Sequence, residues 1–167
     1  MNEYGFTAAD MDRAAAIEIL GWRYDDDYRM YNENGAEEDI REMTDGSCLA
    51  VKDRNGGIVG FYCYGEGARA EDLDGKDVYA EDGVTDFGLG LRPDLCGHGL
   101  GEEFMNLGLR TGEERFGYGN YRLSVDSMNH RAIKSYLKCG FREETRFRGR
   151  YNGIESIFIL MKRLKQC

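Results

Sequence analysis

The chain has 167 residues, 41% of them hydrophobic and 32% charged, with 23 glycines, one proline and a formal net charge of −9. That is long enough to bury a core as one domain spanning 1–167, and too apolar for a disordered polymer. The charge is lopsided: residues 1–91 carry 8 Lys and Arg against 22 Asp and Glu (net −14), residues 92–167 carry 14 against 9 (net +5). Nucleic acid is thereby disfavoured as principal partner, because the N-terminal half would repel its backbone.

The same polarity suits a phosphate-bearing ligand on the C-terminal part and a cationic one on the N-terminal part, or else a solvated surface of uneven charge. No apolar run approaches membrane-spanning length, and "MNEYGFTAAD" lacks the basic and apolar regions of a signal peptide. No membrane partner is therefore expected. The five cysteines (Cys48, Cys63, Cys96, Cys139, Cys167) are odd in number and form no CxxC pair. That usage predicts free thiols in a reducing cytoplasm.

Along the chain, Thr7 with Asp10 reads as a capping box opening a helix over "AADMDRAAAIEIL". "GWRYDDDYRMYNENG" is aromatic and acidic, with too little aliphatic content for a core element, and "AEEDIREM" is a short second helix. "CLAVKD" and "IVGFYCYG" are β-rich and separated by Arg54-Asn55-Gly56-Gly57, a hairpin signal. Glu66 to Gly83, acidic and glycine-containing, reads as an exposed loop. "GVTDFGLGLR" is a strand, "EEFMNLGLRTGEERFG" a helix, "YRLSV" a strand and "HRAIKSYLKCG" a helix. "FREETRFRGR" and "IESIFILMK" are strands joined by a "YNG" turn. This order predicts an α/β or α+β fold built on one mixed sheet.

The glycine loop at residues 97–101 is neither a Walker loop, since no Gly-Lys-Ser/Thr follows, nor the Rossmann fingerprint, since Glu102 stands where the third glycine belongs. What it shares with both is a run of unshielded backbone N–H groups leading into a helix N-terminus, which suits a pyrophosphate. A tight turn without ligand is the bland alternative. In the preceding strand, Thr85, Phe87, Leu89 and Leu91 share one face, and Asp86, Gly88 and Gly90 the other. Strand glycines mark close approach, so a thin molecule lying against Gly88 and Gly90 before entering the loop at Gly97 is expected.

The stretches "DFGLGLRPDLCGHGLGEEF", "YRLSV" and "NHRAIKSYLKCGF" resemble the GNAT superfamily of acyl-CoA-dependent N-acetyltransferases. The first matches its Arg/Gln-x-x-Gly-x-Gly/Ala motif at Cys96 to Gly101, with Cys96 departing from the usual Arg or Gln. The last matches Asn-x-Arg-Ala-x-x-x-Tyr-x-x-x-Gly-Phe at Asn129 to Phe141. The resemblance implies a single mixed, mostly antiparallel sheet flanked by helices on both faces, with acetyl-CoA as co-substrate and no metal.

By position, the resemblance implies that the main chain of Leu89, Gly90 and Leu91 meets the pantetheine arm. Gly97, His98, Gly99, Leu100 and Gly101 would wrap the pyrophosphate, and Asn129 would contact the pantetheine or cap its helix. Tyr136 would point at the thioester sulfur as the acid for the departing thiolate; the bland reading is a core tyrosine. Asp86 is the candidate base or ammonium anchor, with Asp126 second, because an amine must lose a proton before it attacks. Cys96 reads as a tolerated small residue and His130 as structural. Trp22, Tyr24, Asp26, Tyr28 and Tyr31 form a candidate acceptor wall, since aromatic faces with carboxylates favour a cation. They equally suit a cover over the core edge.

The implied activity is acetyl transfer to a primary amine of a small polycationic molecule or a peptide, by direct attack in a ternary complex. A non-catalytic acyl-CoA sensor is the alternative, and a nucleotide-binding module a weaker third reading. A homodimer is the default assembly.

Overall fold

The computed structural model describes residues 4–166 of the chain, together with every described side chain except that of Asp26. Eight strands among them form one sheet: β1 (Thr7–Asp10), β2 (Cys48–Lys52), β3 (Ile58–Tyr64), β4 (Glu71–Asp72), β5 (Thr85–Leu91), β6 (Tyr121–Asp126), β7 (Arg142–Tyr151) and β8 (Ile154–Arg163). Their order is β1-β2-β3-β5-β6-β8-β7-β4. The pairings are antiparallel apart from β5 with β6. Four helices complete the fold: α1 (Arg13–Leu20), α2 (Glu37–Met43), α3 (Gly101–Phe116) and α4 (His130–Lys138).

The sheet is covered on both faces, as expected. On one side Phe104, Met105 and Leu109 of α3 pack on Tyr62, Tyr64 and Phe87; on the other, Ala16, Ile19 and Leu20 of α1 and Ile40 of α2 pack with Ile58 and Phe61. Three tyrosines pin α3 to the sheet through its own carbonyls. Tyr62 donates to Phe104 O at 2.5 Å, Tyr64 to Gly108 O at 2.6 Å and Tyr121 to Leu109 O at 2.9 Å. The start of α3, where the glycine loop ends, is thereby anchored.

Four expectations need correction. Thr7–Asp10 is not a helix start but a strand, because it pairs with Lys52 to Leu49 along β2. The cap of α1 is Asp12, whose carboxylate accepts the Ala15 N–H at 2.7 Å. Glu66–Gly83 is not a plain exposed loop. It buries Ala70 and carries Tyr79, whose hydroxyl bonds Ser124 Oγ (2.5 Å) and receives the Ala70 N–H (3.0 Å).

The acidic aromatic segment also reaches the core. Asp26–Tyr31 forms a 3-10 turn whose Met30, 6% exposed, packs with Phe147, Phe158 and Leu160.

Nor are all the cysteines free. Cys48 and Cys63 face each other across β2 and β3 with Cα atoms 4.1 Å apart and are joined as a disulfide. Cys96 and Cys139 are free thiols, and Cys167 lies outside the described residues. Unpaired cysteines therefore no longer argue for a reducing compartment. No helix among the described residues is long and apolar enough to cross a membrane.

Candidate active site

β5 and β6 are paired over only two residue pairs, Thr85 with Tyr121 and Asp86 with Arg122. Beyond them the strands separate: β5 stays with β3 as far as Leu91, and β6 stays with β8 as far as Asp126. The gap between them opens into a cleft of about 880 Å³. Main-chain groups alternate edges along a strand. Asp86 O accepts Gly65 N–H and the Arg92 N–H reaches Val59 O, so even-numbered residues of β5 face β3. The N–H and C=O of Leu89 and Leu91 consequently face the cleft, whereas Gly90 is committed to β3.

The open edge runs through a 3-10 turn at Pro93–Leu95 into the glycine loop. Gly97 and Gly99 both adopt φ of +77°, the left-handed region that side chains resist. Open space surrounds the position a Gly99 side chain would take. A Cβ on Gly101, by contrast, would meet Ser135 Oγ at 2.6 Å, so α3 and α4 approach closely where the loop enters the helix. Arg131, in the first turn of α4, reaches the loop beside Gly97 and stacks its guanidinium over Tyr28, 4.6 Å from the ring centre. A concave backbone with a cation beside it and a helix N-terminus behind it fits a diphosphate. These residues therefore suit the phosphates of a CoA carrier, and Arg131 supplies a cation where Cys96 lacks one.

Tyr136 lines the cleft from α4, packed 6.2 Å from Phe141. Burial pushes its phenol well above the ordinary value, so it keeps its proton across the neutral range. Asn129 takes the capping role: its Oδ1 accepts the Ala132 N–H (3.3 Å) while its Nδ2 donates to the Tyr31 hydroxyl (3.3 Å). Tyr24 donates to Leu91 O at 2.9 Å, and Tyr24, Tyr28 and Tyr31 all line the cleft. Leu100 also lines it, while His98 and His130 are exposed. Cys96 is half-buried, its thiol held protonated by burial and bonded to Leu91 O at 3.6 Å.

Other expected positions fall elsewhere. Asp86 is 3% exposed and does not line the cleft: both its oxygens are engaged, Oδ1 by Arg122 Nε (2.6 Å) and Oδ2 by Arg122 Nη2 (2.9 Å) and Arg69 Nε (2.7 Å). A carboxylate outside the cleft and paired with two guanidiniums is poorly placed to take a substrate proton. Asp126 does not line the cleft, and its Oδ1 accepts Ser156 Oγ (2.7 Å) and the Met128 N–H (3.2 Å) at the turn into α4. The room above Gly90 is filled by the Phe61 ring and that above Gly88 by Ala68, so an extended ligand meets the strand's edge rather than its glycine face. Trp22 packs on Phe61 (6.5 Å) as core cover.

Arg131 and three further cleft residues, Glu33, Tyr151 and Asn152, escaped the sequence. Tyr151 packs on Tyr31 at 6.0 Å and donates to Glu33 Oε1 at 3.3 Å, while Asn152 Nδ2 donates to the same oxygen at 3.0 Å. Glu33, Tyr151 and Asn152 all line the cleft from separate parts of the chain. Only Arg131 had a readable signal, standing two residues past Asn129 in the motif.

Comparison with known proteins agrees with this geometry. The model of the acetyltransferase (GNAT) family matches residues 15–141. Among solved structures, a chimera of spermidine N-acetyltransferase SpeG from Vibrio cholerae and hSSAT superposes with a TM-score of 0.72 at 17% identity, covering 96% of this chain and 95% of its own. Spermidine N-acetyltransferase from Vibrio cholerae in complex with CoA and spermine gives 0.71 at 18% identity, with 96% of both chains covered. No curated protein matches the sequence. The family match over most of the chain, carried on a splayed sheet edge that runs into a glycine loop, establishes that the chain belongs to the acetyltransferase (GNAT) family of acyl-CoA-dependent N-acetyltransferases.

Proposed function

We propose that the protein moves an acetyl group from acetyl-CoA to a primary amine of a small polycationic molecule, by direct attack with both reactants bound. The observation that carries this is the edge of β5 that β6 leaves uncovered: Leu89 turns its N–H and C=O and Leu91 its N–H to the cleft, and the same chain continues into the loop at Gly97 to Gly101. Acetyl-CoA brings the activated acyl group. Leu89 and Leu91 would bond its amide arm, and the loop with Arg131 would hold its phosphates. The Leu89 N–H is the donor suited to polarise the acyl oxygen. Tyr136, held protonated by burial, is the donor suited to the departing sulfur. Holding both reactants in one cleft supplies the orientation term, worth about 7–11 kcal/mol in favourable cases.

A cationic acceptor is supported by the other end of the cleft. Glu33, Asp39, Glu42, Asp45 and Glu66 line it among aromatic rings, whereas the basic Arg131 stands at the loop end. The test is to follow free thiol while the protein is given acetyl-CoA with polyamines, basic peptides, amino acids and aminoglycosides. Fast release with polyamines and none with acidic amines is expected. CoA binding without thiol release on any amine would favour the sensor reading.

A further inference from the structure

With Asp86 and Asp126 both outside its lining, the cleft still needs a group to receive the proton that an ammonium must shed before it attacks. Glu42, Asp45 and Glu66 are exposed, and Asp39 is turned to the Ala36 N–H at the start of α2 (3.3 Å). Glu33 differs from them all. It is half-buried and held by two donors from the β7–β8 hairpin, Tyr151 Oη and Asn152 Nδ2. Tyr151 in turn packs on Tyr31, whose hydroxyl is bonded by Asn129 at the head of the helix that carries Tyr136. The carboxylate and the candidate acid thus belong to one cluster that draws on three parts of the chain.

We propose that Glu33 receives the acceptor's ammonium and takes its first proton, acting as the catalytic base of the reaction. This rests on the acetyl-transfer reading above. In the step, one proton passes from the ammonium to a Glu33 oxygen. The freed nitrogen pair forms the bond to the acyl carbon as the carbon–sulfur bond breaks. The Tyr136 proton goes to the departing thiolate, the second nitrogen proton returns to the phenolate, and Glu33 releases its proton to water. One amide, one thiol and one proton result.

The surroundings suit that role. Burial raises the proton affinity of Glu33 and the facing Asp39 and Glu42 of α2 raise it further; the bonds from Asn152 and Tyr151 oppose them, and the Tyr24 phenol lies close by. The net shift is upward, so Glu33 holds a proton better than an ordinary carboxylate does, as a base working near neutral pH requires.

The test uses Glu33→Gln, which keeps shape and removes the proton acceptor. With spermidine, kcat/KM should fall about 100-fold. The wild-type profile should decline as pH drops through the raised Glu33 pKa, because the carboxylate must be ionised to act, and this limb should vanish in the variant. Semicarbazide, uncharged at neutral pH, should keep most of its wild-type rate, and Glu33→Asp should regain part of the loss with spermidine. By calorimetry, CoA-saturated Glu33→Gln should bind spermidine about tenfold more weakly while its affinity for CoA is unchanged. An unaltered pH limb, or equal losses on spermidine and semicarbazide, would overturn the assignment while leaving acetyl transfer intact. Wild-type protein that releases no thiol with any amine would end both.

Discussion

Asp86 and Arg122 form a two-pronged ion pair across the only paired stretch of β5 and β6, with both residues almost wholly buried at 3% and 1% exposure. Arg69 closes on the same carboxylate, and both guanidiniums lie over the Tyr79 ring, at 4.9 and 5.2 Å. The pair sits where the strands stop pairing, and it holds the apex from which the cleft opens.

Removing one member of a buried pair leaves a charge without compensation, at a cost of about 3–5 kcal/mol. Asp86→Asn should therefore lower the urea midpoint by that equivalent, while the protein that remains folded keeps its CoA affinity. Unchanged stability with abolished turnover would instead return Asp86 to the chemistry.

Tyr136→Phe removes the hydroxyl and little else. Turnover should drop about ten- to a thousandfold, within the usual reach of general acid catalysis, with CoA affinity unchanged. Steady-state kinetics beside a CoA titration separates the two effects, and full activity would remove Tyr136 from the mechanism.

Gly99 sits at φ +77° with open space around it. A valine there would strain the backbone and fill the concavity proposed for phosphate. Gly99→Val should abolish CoA binding by calorimetry, and retained affinity would count against the loop assignment. Arg131→Ala should act more gently, weakening CoA about tenfold and flattening the dependence of affinity on salt, since a screened charge contact is lost.

The disulfide offers a separate check. Cys48 and Cys63 are 15 residues apart, and closing a loop of about that size stabilises by roughly 3 kcal/mol. Reductant should lower the melting temperature, and alkylation before and after reduction should count two extra thiols. Four reactive cysteines beside Cys167 without reductant would contradict the pairing.

How much was legible follows the range of each signal. The hairpin turn after Lys52, the loop from Gly97 and the motif that carries Tyr136 are local patterns, and each stands where the sequence puts it. Thr7–Asp10 carries a local cap pattern too, but pairing with β2 outweighs it, and that partner lies some forty residues on. Asp86 was expected at the site because it shares a strand face with Gly88 and Gly90; its capture by Arg122, 36 residues away, was not readable. Glu33 is further still from its partners, with Tyr151 at a separation of 118, and no short motif could reveal it. The β5 edge and glycine loop are written in one continuous stretch, whereas the acidic aromatic end of the cleft is assembled from distant pieces.

Titrating coenzyme A into the purified protein in a calorimeter probes the free β5 edge and the glycine loop together. One saturable site per chain is expected, weakened by Arg131→Ala and lost in Gly99→Val. An absence of heat with both CoA and acetyl-CoA up to millimolar concentration would contradict the idea that this edge holds a thioester carrier.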